Sequence, residues 1–345
     1  MDRPMEATRL QMTTSNTSMT RRDALRLAAG VSAAIATPSI LAQDATWPTR
    51  PVRIVLAIAA GSSGDSLARM LKPRLEAIWK QTVIVENRPG AGGIIGSEHV
   101  SKATDNHTLL MASHSSILPK FTKKDLGYDP LTDLQPVHKV INYQMILTVN
   151  EQTGRTVKTL QDLVALSRSS PNGIFFSGVG RTGSFNIAMA ILNQQLGINY
   201  TALDFNSIGD MNLAVLRGDA QFVMNTPSAV KGHIGAGAMR AIAALSHERY
   251  PNLPDVPTVF EAGYKGYLPV LWAGLMAPKS MPTAVVDQVA RDARAALVDP
   301  AFKTQIESNI TGAVPQSSPA EFRKELIEET TAWAAVFKAM KFEPQ

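Results

Sequence analysis

Three short stretches of glycine and serine supply the hydroxyls and backbone amides with which this chain could hold a small polar molecule. The first is Gly61-Ser62-Ser63-Gly64-Asp65, where serine suits a helix cap. The second is Ser113-His114-Ser115-Ser116. The third, Gly178-Val179-Gly180-Arg181-Thr182-Gly183, is a literal G-x-G-x-x-G, and Asp204 stands 21 residues beyond Gly183, where a ribose-binding acid would sit. Ser184 occupies the position at which a P-loop needs lysine, so nucleotide hydrolysis is not expected. What the two glycine motifs share is broader than either. Glycines let backbone N–H groups approach an anion, and a helix N-terminus adds partial positive charge. Such loops suit a carboxylate as well as a pyrophosphate.

Catalytic patterns are sparse. The sequence has neither a G-x-S-x-G elbow nor H-E-x-x-H, and its six histidines are scattered. The exception is His114, whose loop should face a cleft. Zero cysteines exclude disulfides, thiolate metal sites and a Cys nucleophile. Neither a metal nor a cofactor is expected, and the chain reads as a binder rather than an enzyme. The competing possibility is an exported NAD(P)-dependent oxidoreductase using residues 178–183. Against it, that motif should open a dinucleotide domain, yet here it lies deep in the second of two expected lobes, without a proton-transfer partner.

The elements that must position these loops follow an alternating pattern. Residues 51–58 form a β-rich apolar run, and Leu67, Met70, Leu71, Leu75 and Ile78 then keep helical spacing, with Pro73 expected to kink or shorten that helix. A strand at Thr82–Glu86, a helix at Ile94–Lys102 and a strand at Thr108–Ala112 complete a β-α-β-α-β unit. The pattern restarts with strands at Ile174–Ser177, Tyr200–Asp204, Ala220–Met224 and Arg240–Leu245 and helices at Leu160–Ser167, Ser184–Leu196 and Ile208–Arg217. After the proline-rich residues 251–257 come a strand at Leu271–Ala277 and helices at Thr283–Leu297, Ala301–Ser308 and Pro319–Met340. The expected fold is α/β, each lobe a mainly parallel sheet flanked by helices. The last segment holds too few strands for a domain of its own and should return to the first. The first lobe is then 43–147 plus 268–345 and the second 148–267, with crossings near Ile146–Asn150 and Tyr264–Leu268.

The N-terminus reads as an export leader. Thr20-Arg21-Arg22-Asp23-Ala24-Leu25-Arg26 is of twin-arginine type, an apolar run extends from Leu27 to Ala36, and Pro38-Ser39-Ile40-Leu41-Ala42 resembles a cleavage region. Residues 1–42 are therefore expected to be removed, leaving a periplasmic protein. The apolar run falls short of the roughly 20 residues that span a bilayer. Of the formal charge of +5, five Arg and three acidic residues lie in 1–42, which leaves 29 basic against 26 acidic, or +3. That small surplus, without a basic tract, gives no footprint for nucleic acid.

In this order the loops and motifs resemble the Bug family of extracytoplasmic solute-binding receptors, the binding components of tripartite tricarboxylate transporters. The likeness begins at Trp47-Pro48-Thr49-Arg50-Pro51-Val52 and is most specific at Val85-Glu86-Asn87-Arg88-Pro89-Gly90-Ala91-Gly92-Gly93. It continues through the glycine loop at Gly178, Leu253-Pro254-Asp255-Val256-Pro257-Thr258 and Trp272-Ala273-Gly274-Leu275. The resemblance implies a two-lobed Venus-flytrap fold closing on a small carboxylate. It implies as partners the membrane components of such a transporter, or a sensor kinase, with the receptor itself a monomer. Carried over by position, contacts fall on Gly61, Ser62, Ser63 and Asp65, on Ser113 and Ser115, on Gly180, Thr182, Gly183 and Ser184, and on Asn206 and Asn225. The chain departs from the family pattern where Ser62 or Ser63 replaces a third glycine and where Asp204-Phe205-Asn206-Ser207 replaces a Tyr-Lys-Gly-like segment. Amides, Gln221 and Asn225, stand where family acids are usual.

Overall fold

The computed structural model describes residues 47–179, 183–205 and 207–344. The leader expected at 1–42 lies outside them, as do Gly180, Arg181, Thr182 and Asn206. Elements are numbered here in chain order, with single-turn helices unlabelled. The chain runs β1 (Val52–Leu56), α1 (Ser63–Trp79), β2 (Val83–Asn87), α2 (Ile94–Ser101), β3 (Thr108–Ser113), β4 (Leu134–Tyr143) and β5 (Ile146–Asn150). It continues through α3 (Leu160–Ser169), β6 (Ile174–Val179), α4 (Ser184–Leu196), β7 (Tyr200–Phe205), α5 (Ile208–Arg217), β8 (Phe222–Asn225), α6 (Pro227–Gly235) and β9 (Met239–Ala244). The last elements are β10 (Trp272–Pro278), α7 (Thr283–Leu297), α8 (Pro300–Ile310), β11 (Gly312–Ala313) and α9 (Pro319–Ala339).

Two sheets form, in the orders β11-β4-β10-β3-β1-β2 and β7-β6-β8-β5-β9. Both are mixed. The β-α-β units give the parallel pairs β2/β1/β3 and β7/β6/β8. The strands on either side of the two crossings supply the antiparallel pairs: β10 runs against β3 and β4, and β5 against β8 and β9. Ile146–Asn150, expected as a crossing, is instead a strand flanked by two others, and the chain passes between sheets at Gln144-Met145. It returns between β9 and β10.

Each sheet is covered on both faces, which explains its apolar strands. In β1, Val52, Ile54 and Leu56 pack with Leu67 and Leu71 of α1 and Val289 of α7. Val55 turns to the opposite core, with Leu110, Trp272 and Trp333. In the second sheet Phe176 and Leu147 pack with Met189 of α4, while Ile146 and Val223 pack with Met211 of α5. Ile187 and Ile191 of α4 join the core that holds Trp272 and Trp333, so the layers of the two sheets meet there. Helix α1 continues through Pro73, contrary to the expected shortening, from a Ser62 cap to a left-handed Lys80. Among the described residues no helix is long and apolar enough to cross a membrane.

Candidate functional site

Four of the labelled helices begin around one cavity of about 400 Å³. Ser63 and Gly64 reach it from α1, Ser184 and Phe185 from α4, Ile208 from α5, and Thr226 and Ser228 from the start of α6. Ser113 and His114 contribute from the end of β3, Tyr143 from the end of β4, Met145 from the first crossing, and Trp272 from β10. Its size fits a small organic molecule. Among the described residues that line it, none is Lys, Arg, Asp or Glu. The donors offered are hydroxyls and the free N–H groups of helix first turns, a combination suited to an anion.

The loop before α1 is wound by its own hydrogen bonds. Asp65 Oδ2 accepts from the Gly61 N–H at 2.9 Å, and its carboxylate also takes Arg69 Nε–H at 3.0 and 3.1 Å. The Arg69 hydrogen bond holds the Asp65 carboxyl below its ordinary range. Ser62 Oγ accepts from the Asp65 N–H and donates to Ala59 O. Gly61, Ser62 and Asp65, expected as ligand contacts, make these bonds within the turn, and the residues of this loop that line the cavity are Ser63 and Gly64.

After β3, Ser113 Oγ lies 3.0 Å from Ser115 Oγ. Ser113 lines the cavity and Ser115 does not; Ser115 backs onto Gly93, whose φ is +97° and where a Cβ would stand 2.9 Å from Ser115 O. The Pro89–Gly93 segment thus closes against this loop from behind.

In the second sheet Ser184 lines the cavity at the start of α4, whose cap is Gly183. The amide of Asn225 is used internally: Nδ2 donates to Asn212 Oδ1 at 2.7 Å, and Oδ1 accepts from the Thr226 N–H at 2.8 Å. Asn225, expected as a ligand contact, is fully buried and bonded at the start of α6, and the residues there that line the cavity are Thr226 and Ser228. These two were missed although Thr226-Pro227-Ser228 carries the same strand-to-helix signal as the other loops, a capping residue followed by proline at the first helical position. Tyr143 was missed because it ends β4, a strand the sequence pattern did not show; burial raises its hydroxyl pKa.

Both features behind the dinucleotide alternative lead to Asn186. A Cβ on Gly178 would stand 1.7 Å from Asn186 Oδ1, so glycine there leaves room for the Asn186 side chain. Asn186 Nδ2 donates to Asp204 Oδ1 at 2.5 Å, giving that acid a partner within the protein. No group of three or more His, Asp or Glu side chains among the described residues could hold a metal.

A cavity at strand ends, ringed by helix N-termini from two α/β sheets that the chain crosses twice, defines a two-lobed solute-binding protein. Residues 67–341 match the tripartite tricarboxylate transporter family receptor, and the chain belongs to that family. A UPF0065 protein of Bordetella bronchiseptica is 31% identical over 311 residues, covering 86% of this chain and 90% of that one. Three solved structures share the fold. The periplasmic binding protein BugD is 27% identical with a TM-score of 0.69, covering 87% of this chain and 100% of its own. MatC of Rhodopseudomonas palustris, with bound malate, is 25% identical with a TM-score of 0.68 (84% and 99% covered). Another R. palustris protein, with adipate, is 26% identical with a TM-score of 0.71 (87% and 100% covered).

Proposed function

We propose that this chain is a periplasmic receptor that captures a small organic carboxylate in the cavity between its two sheets, for the membrane components of a tripartite tricarboxylate transporter. It acts as a binder and not as an enzyme. The observation that carries this reading is the ring of helix first turns around a cavity without an acidic side chain among its described lining residues. An anion meets partial positive charge from several directions and no like charge. Malate and adipate in the related receptors support the ligand class.

The lobes in this reading are 43–147 with 268–345, and 148–267; the crossings serve as hinges, and residues 1–42 direct export. The mature receptor works as a monomer. A sensor kinase sharing the same binding event is the alternative partner. A thermal-shift screen of the mature protein against mono-, di- and tricarboxylates tests the ligand class. Binding stabilises the native state by RT ln(1 + [L]/Kd), about 2.7 kcal/mol at a hundredfold excess over Kd. A clear rise in Tm with at least one acid is expected. No rise with any carboxylate, alongside a rise with a neutral or cationic solute, overturns it.

A further inference from the structure

We propose that Glu329, packed behind the wall of the cavity, and His114, in that wall, form a proton site linked to anion binding, so that the receptor takes its acidic ligand together with a proton. The inference rests on the carboxylate reading above and adds a co-ligand to it. Glu329, on α9, is 4% exposed and His114 is 5% exposed. Glu329 Oε2 accepts Trp272 Nε1–H at 2.8 Å, and its Oε1 lies 3.3 Å from His114 Nε2. His114 Nε2 is also 3.3 Å from Val270 O, in the return crossing. A carbonyl oxygen only accepts, so the imidazole hydrogen resides on Nε2. Trp272 and His114 both line the cavity. A void of about 10 Å³ touches His114, Glu329 and Ser184, and Ser184 lines the cavity as well. That is near the lower limit for one water.

Burial dominates both groups, and the cation Lys139 partly offsets it at Glu329 and adds to it at His114. Lys139 of β4 is ion-paired with Glu325. Glu325 and Glu328 of α9, Tyr267 of the crossing and His247 line the groove on which Glu329 also borders. Burial pushes the Glu329 carboxyl up to about 8 and lowers the His114 imidazole to about 4. At neutral pH the pair therefore holds one proton, on the carboxyl group. An ionised Glu329 would oppose a bound anion through a wall of low dielectric, where like charges repel strongly. By linkage, the anion raises the proton affinity of Glu329, and loss of the proton weakens the anion.

Calorimetric titration with adipate from pH 6.5 to 9, in buffers of different ionisation enthalpy, tests this. The expected result is proton uptake on binding above pH 8 and an affinity loss of about tenfold between pH 7 and pH 9, the limit for one proton whose pKa in the free receptor is about 8. Glu329→Gln, which still accepts from Trp272, should bind as the wild type does at pH 6.5 and keep that affinity at pH 9. Wild-type binding without proton uptake, or a Glu329→Gln profile that falls as the wild type's does, overturns the linkage alone. If neither adipate nor any other acid of the panel binds at any pH, the carboxylate reading fails and the linkage with it.

Discussion

The two sides of the cavity wall are built from opposite materials. Facing the ligand space are serine and threonine hydroxyls and helix N-termini, with no Lys, Arg, Asp or Glu among the described residues. Behind the wall lie Glu329 and Lys139, with His114 in the wall itself, all three buried. A lysine in the cavity would need desolvation each time the lobes close, whereas helix amides are already desolvated and aimed. Charge kept behind the wall acts through proton balance instead. The front therefore sets what binds, and the back sets under which conditions it stays bound.

Removing the wall should have the largest effect. Trp272 is 1% exposed, lines the cavity and donates to Glu329. Trp272→Ala should cost about 3–5 kcal/mol of stability in urea unfolding and damage both sides at once. A loss below about 1 kcal/mol would mean that the wall is not a shared structural element.

The back alone is probed by pH. The folded-state Glu329 pKa of about 8 lies above its ordinary 4.5. Between those values the folded protein keeps a proton that the unfolded chain has lost, so stability falls as pH rises through this window. His114, lowered from 6.5 to about 4, acts in the opposite sense, with stability rising from pH 4 to pH 6.5. Glu329→Gln should therefore gain Tm over the wild type progressively from pH 5 to pH 8. A constant Tm difference across that range would remove Glu329 from the account.

A smaller effect should come from the brace under the front. Asp65→Ala removes charged hydrogen bonds to Arg69 and the Gly61 N–H, at a cost of about 2 kcal/mol. Its effect on ligand affinity should follow from loosening Ser63 and Gly64. Unchanged stability with lost binding would return Asp65 to the role of direct ligand contact.

The helices Thr283–Leu297, Ser184–Leu196 and Ile208–Arg217 match their sequence expectations to the residue because caps and periodicity are local signals. Strand β4 was missed for a physical reason: His138 and Lys139 are buried within it and it contains Pro136, so its composition does not look like a core strand. Strand β5 was mistaken for a crossing because a short apolar run carries no record of its pairing. At the site, Ser63, Ser113 and Ser184 were legible as residues at strand-to-helix turns. Whether a polar side chain there faces ligand or braces its own loop depends on tertiary partners. Asp65 and Asn225 found such partners in Arg69 and Asn212, and no spacing rule reveals that.

The central claim is that an acid is held by neutral donors at helix first turns. Calorimetric titration of Ser63→Ala, Ser184→Ala and Arg181→Ala with the acid that gives the largest thermal shift tests it most directly. A hydrogen bond to a carboxylate contributes about 1.5–3 kcal/mol, so each serine variant should lose affinity about tenfold or more, and Arg181→Ala less than either. Normal binding by both serine variants, with binding abolished in Arg181→Ala, would contradict it.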